Sequence, residues 1–289
     1  MFVRGSVGLA HWARISPGIV GATVAAFATS SPELSVSINA ATAGTPQISL
    51  GDVLGSNVVN VALILGLALA ISGIKSPRGS VSRDFPVALL VPVVTGVLML
   101  DGVISRVDGF LLLGVFLFWL GATVIEARKQ RSAAEEVLGE HRIVPAVLSG
   151  VAGLVLLFVS GYFIVRGARG VATAYGIDAF IIGATVIAIG TSVPELATTL
   201  VSKLRGHDEV GLGTILGSNI FNGLLVVAVA AIICPITIKW HEVAIAVVFG
   251  VLAVLVTYPS QNGLIERRRG FVLLGLYAAY LVAIVQNNM

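Results

Sequence analysis

The chain has 289 residues, 56% of them hydrophobic and 11% charged, and a mean hydropathy of +0.98, far above what a water-soluble domain of this size needs. The formal charge of +3 calls for no nucleic acid or other anionic partner, because Lys and Arg beside apolar spans serve to fix topology in a membrane. Cys234 is the single cysteine, so no intrachain disulfide framework exists, and His11, His141, His207 and His241 fall at or near loops, which argues against an imidazole metal cluster.

Roughly 20 apolar residues in a helix cross a hydrocarbon core of about 30 Å, and the runs here are too long and too unalternating for barrel strands. In chain order they predict helices near 17–43, 48–72, 86–103 and 107–126, then near 146–170, 178–204, 210–235, 241–258 and 269–287. The expected fold is all-α, a polytopic protein of the plasma or inner membrane. Nothing resembling a cleavable signal peptide precedes the first motif.

The two halves of the chain match each other, and such self-similarity defines architecture before local pattern does. Gly21 to Glu33 (GATVAAFATSSPE) and Gly183 to Glu195 (GATVIAIGTSVPE) agree at 9 of 13 positions, at an offset of 162. At the same offset Gly51 to Asn60 (GDVLGSNVVN) and Gly213 to Asn222 (GTILGSNIFN) agree at 6 of 10. Asp101 to Arg106 echoes Asn262 to Arg267 at an offset of 161. The division expected is a first repeat over 1–130, a charged cytoplasmic linker over 131–143 and a second repeat over 144–289. The helix at 146–170 has no full counterpart in the first repeat, so Met1 to Arg14 reads as the tail of a first span.

Counting loops with that span in place, one set holds Arg4, Arg14, Lys75, Arg78, Arg83, Arg128, Lys129, Arg131, Arg142, Lys203, Arg205, Arg267, Arg268 and Arg269. The opposite set holds only Arg106, Arg166, Arg169 and Lys239. The first set is therefore expected on the cytoplasmic side. Five spans per unit invert the second copy relative to the first, the plan of secondary transporters that bind cargo at the midplane.

Glu33 and Glu195 lie deep in apolar spans, where a carboxylate costs several kcal/mol unless it is paired or faces water. Pro32 and Pro194 remove a backbone donor and disfavour helix at the residue before, so a break is expected at each. Proline is tolerated at the start of a new helical segment, which puts each glutamate in a first turn, at the positive end of the helix dipole. Thr29, Ser30, Thr191 and Ser192 add hydroxyl oxygens just upstream. Ser56 and Asn60 stand four residues apart on one helix face, as do Ser218 and Asn222. Only oxygen ligands are gathered, as hard cations require.

Those motifs, GATVxAxxTSxPE followed by GxxLGSNxxN, twice and inverted, resemble the alpha repeats of the sodium/calcium exchanger superfamily over essentially the whole chain. The resemblance implies ten helices, a central site of four ion positions, and exchange of Na⁺ for Ca²⁺ by alternating access. It carries over Thr29, Ser30, Glu33, Ser56, Asn60, Thr191, Ser192, Glu195, Ser218 and Asn222 as ion ligands, with the backbone carbonyls of Ala26 and Ala188. Some members carry Asp where Asn222 stands. These motifs therefore supply two carboxylates here rather than three, enough to balance one Ca²⁺ or two monovalent ions.

The function expected is secondary antiport of Na⁺ against Ca²⁺, with H⁺-coupled or K⁺-dependent calcium exchange on the same glutamates as the alternative. No resident cofactor and no obligate protein partner are implied. A membrane-embedded protease is disfavoured, since no membrane histidine stands ready to activate Ser30 or Ser192.

Overall fold

The computed structural model describes residues 17–134, most of 144–159, 179–238 and 240–286. The expected first span before residue 17 and most of the helix near 146–170 lie outside the described residues. So do most of the linker and its expected cytoplasmic placement.

The first repeat contributes α1 (Gly18–Thr29), α2 (Ser31–Thr42), α3 (Pro46–Ile71) and α4 (Ser80–Leu98), then α5 (Arg106–Ala134). The second contributes α6 (Phe180–Thr191), α7 (Val193–Leu204) and α8 (Asp208–Ile233), then α9 (Trp240–Thr257) and α10 (Arg267–Gln286). The long spans fall close to where the apolar runs place them, except that α4 starts at Ser80 and ends at Leu98 where a helix near 86–103 was expected. α5 differs, continuing to Ala134 into the segment read as linker. Beyond the bilayer its sequence ARKQRSAA is rich in good helix formers, so nothing stops the helix where the apolar run ends.

Four short strands were not foreseen: β1 (Ile74–Lys75), β2 (Val103–Ile104), β3 (Ile236–Thr237) and β4 (Leu264–Ile265). β1 pairs antiparallel with β4, and β2 with β3. The first pair joins the loop of Lys75 and Arg78 to the loop before Arg267. The second joins the loop before Arg106 to the loop before Lys239. Each pair thus unites two loops that the charge count put on one membrane face, and the two pairs belong to opposite faces. Lys203 adds to the first set by donating to the Gly73 carbonyl at 2.9 Å.

The repeats also close each other's helix ends. Arg106 Nε donates to the Ile232 carbonyl at the end of α8 at 3.0 Å, and Arg267 Nε donates to the Ala70 carbonyl at the end of α3 at 2.8 Å. A guanidinium there meets unsatisfied carbonyls and the negative end of the helix dipole.

Buried most deeply are α3 and α8, 78% and 83% enclosed, whereas only 22% of the apolar window in α5 is covered. α5 therefore turns residues such as Phe110, Leu111, Leu117 and Phe118 outward, as a lipid-facing helix does. α3 crosses α6 of the other repeat, and α8 crosses α1, at glycine contacts. A Cβ on Gly55 would stand 2.4 Å from the Ala184 carbonyl oxygen, and one on Gly217 would stand 2.4 Å from that of Ala22. No side chain fits where backbone meets backbone this closely. These crossings bring the acidic motif of one repeat against the Ser/Asn motif of the other.

Candidate ion site

The two proline motifs bend their spans at equivalent places, by 42° between α1 and α2 and by 41° between α6 and α7. Ser30 and Ser192 sit at the corners, with φ and ψ of −82° and 4°, and −80° and 3°. Pro32 and Pro194 lie at the starts of α2 and α7, and Glu33 and Glu195 in their first turns. The break is milder than the sequence reading supposed. Backbone bonds cross both corners, from Ser30 N to the Ala26 carbonyl at 2.9 Å and from Ser192 N to that of Ala188 at 3.1 Å. No stretch unwinds here, because proline at a first turn costs the helix no donor that it would have used. The Ala26 and Ala188 carbonyls each keep a second lone pair, and hydroxyls approach both: Thr29 at 3.4 Å on Ala26, Thr191 at 3.3 Å and Ser56 at 3.4 Å on Ala188.

α3 and α8 each carry a π-helical segment, Val59–Leu65 and Phe221–Val226, directly after the GSN sequence. Asn60 and Asn222 fall within them. α1 and α6 carry another related pair, Gly21–Ala25 and Gly183–Ile187, just before the bends. Such widened turns inside α-helices concentrate at functional sites; these four lie on the helices that carry the acidic and Ser/Asn motifs, and a fifth, Ser80–Asp84, opens α4.

Every side chain expected in the site is enclosed: Thr29, Glu33, Ser56, Asn60, Thr191, Glu195, Ser218 and Asn222 are fully buried, and Ser30 and Ser192 nearly so. Contacts run between repeats. Ser30 Oγ donates to Glu195 Oε1 at 3.5 Å, and Ser218 Oγ donates to the same oxygen at 3.1 Å. Thr29 Oγ1 lies 3.2 Å from Ser218 Oγ, and Thr191 Oγ1 lies 3.1 Å from Ser56 Oγ. Asn60 is drawn aside, its Nδ2 donating to Asn219 Oδ1 at 3.1 Å.

Both carboxylate oxygens of Glu33 lack a hydrogen-bond partner among the described residues. So do Glu195 Oε2, Asn60 Oδ1, Asn222 Oδ1 and Ser192 Oγ. Buried polar atoms are nearly always partnered, and each orphan costs about 1–3 kcal/mol, more when charged. These oxygens lie on two matching motifs, and oxygen is the ligand that a calcium ion takes, about six to eight at once. Neither glutamate forms an ion pair among the described residues.

Sequence reading missed one member of the cluster. Asp52, on α3 and fully buried, accepts from Thr191 Oγ1 at 3.0 Å and lies 3.4 Å from Ser56 Oγ. A third buried carboxylate thus stands beside the two that the expected ligands supply. Comparing the repeats hides Asp52, because the related residue is Thr214 and only matching positions draw notice. What could have found it is its own sequence, GDVLGSN, an acid in the middle of an apolar span.

Comparison with known proteins agrees with this architecture. The family model described as sodium/calcium exchanger protein matches residues 1–124 and 145–286. CaxA of Alkalimonas amylolytica is 37% identical over 242 residues, 81% of this chain and 76% of its own. Inner membrane protein YrbG of Escherichia coli is 35% identical over 231 residues, 76% of this chain and 71% of its own. A solved structure of the sodium-calcium exchanger NCX_Mj, soaked with Na⁺ and Sr²⁺, superposes with a TM-score of 0.83 at 30% identity, covering 98% of this chain and 92% of that one.

The fold and its neighbours define a multi-pass integral membrane protein of the exchanger type. This chain belongs to the sodium/calcium exchanger family.

Proposed function

We propose that the protein is a secondary antiporter that exchanges Na⁺ for Ca²⁺ by alternating access, with Glu33 and Glu195 as the principal ion ligands. Thr29, Ser30, Ser56, Asn60, Thr191, Ser192, Ser218 and Asn222 supply neutral oxygens, joined by the carbonyls of Ala26 and Ala188. The observation that carries this reading is the pair of fully buried glutamates at two inverted bends, among oxygens that no described protein donor satisfies.

Antiport follows from electrostatics. An empty site holding uncompensated carboxylates is too costly to carry between membrane faces through a dry interior, whereas an ion-filled one is neutralised. Each cargo must then be replaced by another before the site reorients. No resident cofactor takes part in this scheme.

The coupling ion is tested by calcium uptake into proteoliposomes under separately imposed Na⁺, H⁺ and K⁺ gradients. Uptake driven by internal Na⁺ alone supports the proposal. Uptake that follows only the proton gradient, or that requires K⁺, replaces Na⁺ coupling with the corresponding alternative.

A further inference from the structure

The two halves of the site are not equally charged, and the difference lies at one position. Asp52 and Thr214 are related by the repeat offset of 162. Thr214 turns its hydroxyl to its own helix, donating to the Val210 carbonyl at 2.8 Å. Asp52 instead reaches the other repeat, accepting from Thr191 Oγ1 at 3.0 Å.

We propose that Asp52 is a positioning and selectivity residue of the ion site, orienting the Thr191 and Ser56 hydroxyls and adding a third negative charge that favours the divalent ion. The inference rests on the exchanger reading of this site and goes beyond it in naming a carboxylate that the duplication does not repeat.

The orienting role follows from counting protons. Thr191 Oγ1 has one hydrogen and four acceptors within reach: Asp52 Oδ1 at 3.0 Å, the Ile187 carbonyl and Ser56 Oγ each at 3.1 Å, and the Ala188 carbonyl at 3.3 Å. The carboxylate is both the nearest and the charged acceptor, and charge-assisted bonds are roughly twice as strong as neutral ones. With its proton held by Asp52, Thr191 keeps its lone pairs for a cation. Ser56 Oγ, 3.4 Å from the same carboxylate oxygen and 3.1 Å from Thr191 Oγ1, is held in the same way. In the other half Ser218 and Ser30 donate to Glu195, so a carboxylate that is itself an ion ligand does this work there.

Selectivity follows from Coulomb's law. Attraction to a fixed charge scales with the charge of the ion, so removing one carboxylate costs a divalent cation twice the free energy that it costs a monovalent one at the same place. The fold-loss for Ca²⁺ should then approach the square of the fold-loss for Na⁺. Loss of packing or of hydroxyl orientation alone carries no such signature.

Equilibrium binding of radioactive Ca²⁺ to detergent-purified protein, with Na⁺ as competitor, reads both affinities without transport. Asp52→Asn keeps the shape and removes the charge; Asp52→Thr installs the residue of the other repeat and serves if the first variant fails to fold by thermal unfolding. The expected result is a calcium Kd weakened by about tenfold or more, with Na⁺ competition weakened by about threefold. Partial recovery of calcium affinity in Asp52→Asn/Thr214→Asp is expected as well, since a carboxylate returns at the related place. Unchanged affinities in a folded variant, or equal fold-losses for the two ions, overturn this inference while leaving the exchanger reading intact. Absence of calcium binding in the unaltered protein overturns the exchanger reading and this inference with it.

Discussion

Asn57 and Asn219 occupy the same place in the two repeats and bond each other reciprocally: Asn57 Nδ2 donates to the Asn219 carbonyl at 3.2 Å, and Asn219 Nδ2 donates to the Asn57 carbonyl at 3.1 Å. This pins α3 to α8 at the point where the repeats exchange. Asn219 has a second duty, since its Oδ1 accepts from Asn60 at 3.1 Å.

Replacing either partner by alanine removes a buried hydrogen bond between the repeats, a loss of about 0.5–1.5 kcal/mol. Both Asn57→Ala and Asn219→Ala are expected to lower the thermal unfolding temperature in detergent. Asn219→Ala also frees Asn60, so it alone should shift the KM for the transported cation beyond what lost stability explains. Equal effects of the two variants on KM would show that the Asn60 contact does not bear on the site.

Backbone contact at the crossings predicts a second pattern. Gly55→Ala and Gly217→Ala would each push a methyl to 2.4 Å from a carbonyl oxygen of the facing helix, and a packed helix pair does not yield by that much. Both variants should lose the monodisperse peak in fluorescence size-exclusion chromatography. Gly114→Ala on α5, where a Cβ meets nothing within 4 Å, should behave as the unaltered protein.

Ser30 and Ser192 are related corner residues with different partners. Ser30 Oγ donates to Glu195, whereas Ser192 Oγ has no partner among the described residues. Ser192→Ala is expected to weaken cation affinity several-fold with an unfolding temperature within a degree or two of the parent. Ser30→Ala removes a bond to a buried carboxylate and should lower both. Calorimetric binding alongside thermal unfolding separates these outcomes.

What the sequence made legible was whatever the duplication repeated. Glu33 and Glu195, their prolines, and the Ser/Asn pairs each occur twice, so an argument too weak for one copy gains force from the other. The all-helical inverted plan followed from the same comparison together with span length. Asp52 stayed hidden because it breaks the repeat. The cross-repeat bonds, such as Ser30 to Glu195 and Thr191 to Asp52, join residues more than a hundred positions apart and depend on how α3 crosses α6 and α8 crosses α1. Gly55 and Gly217 signalled close packing without naming the facing helix. The strand pairs are two residues long, too short for any periodicity to show, and the length of α5 is set by propensity beyond the membrane rather than by hydropathy.

The central claim is that Glu33 and Glu195 together carry the transported ions, and radioactive calcium uptake into sodium-loaded proteoliposomes diluted into sodium-free medium tests it most directly. Glu33→Gln and Glu195→Gln keep shape and remove charge from groups that are fully buried. The account predicts robust uptake by the unaltered protein and loss of at least 90%, roughly the tenfold expected for about 1.4 kcal/mol, in each variant that still folds. Uptake by either folded variant at the rate of the unaltered protein would contradict it.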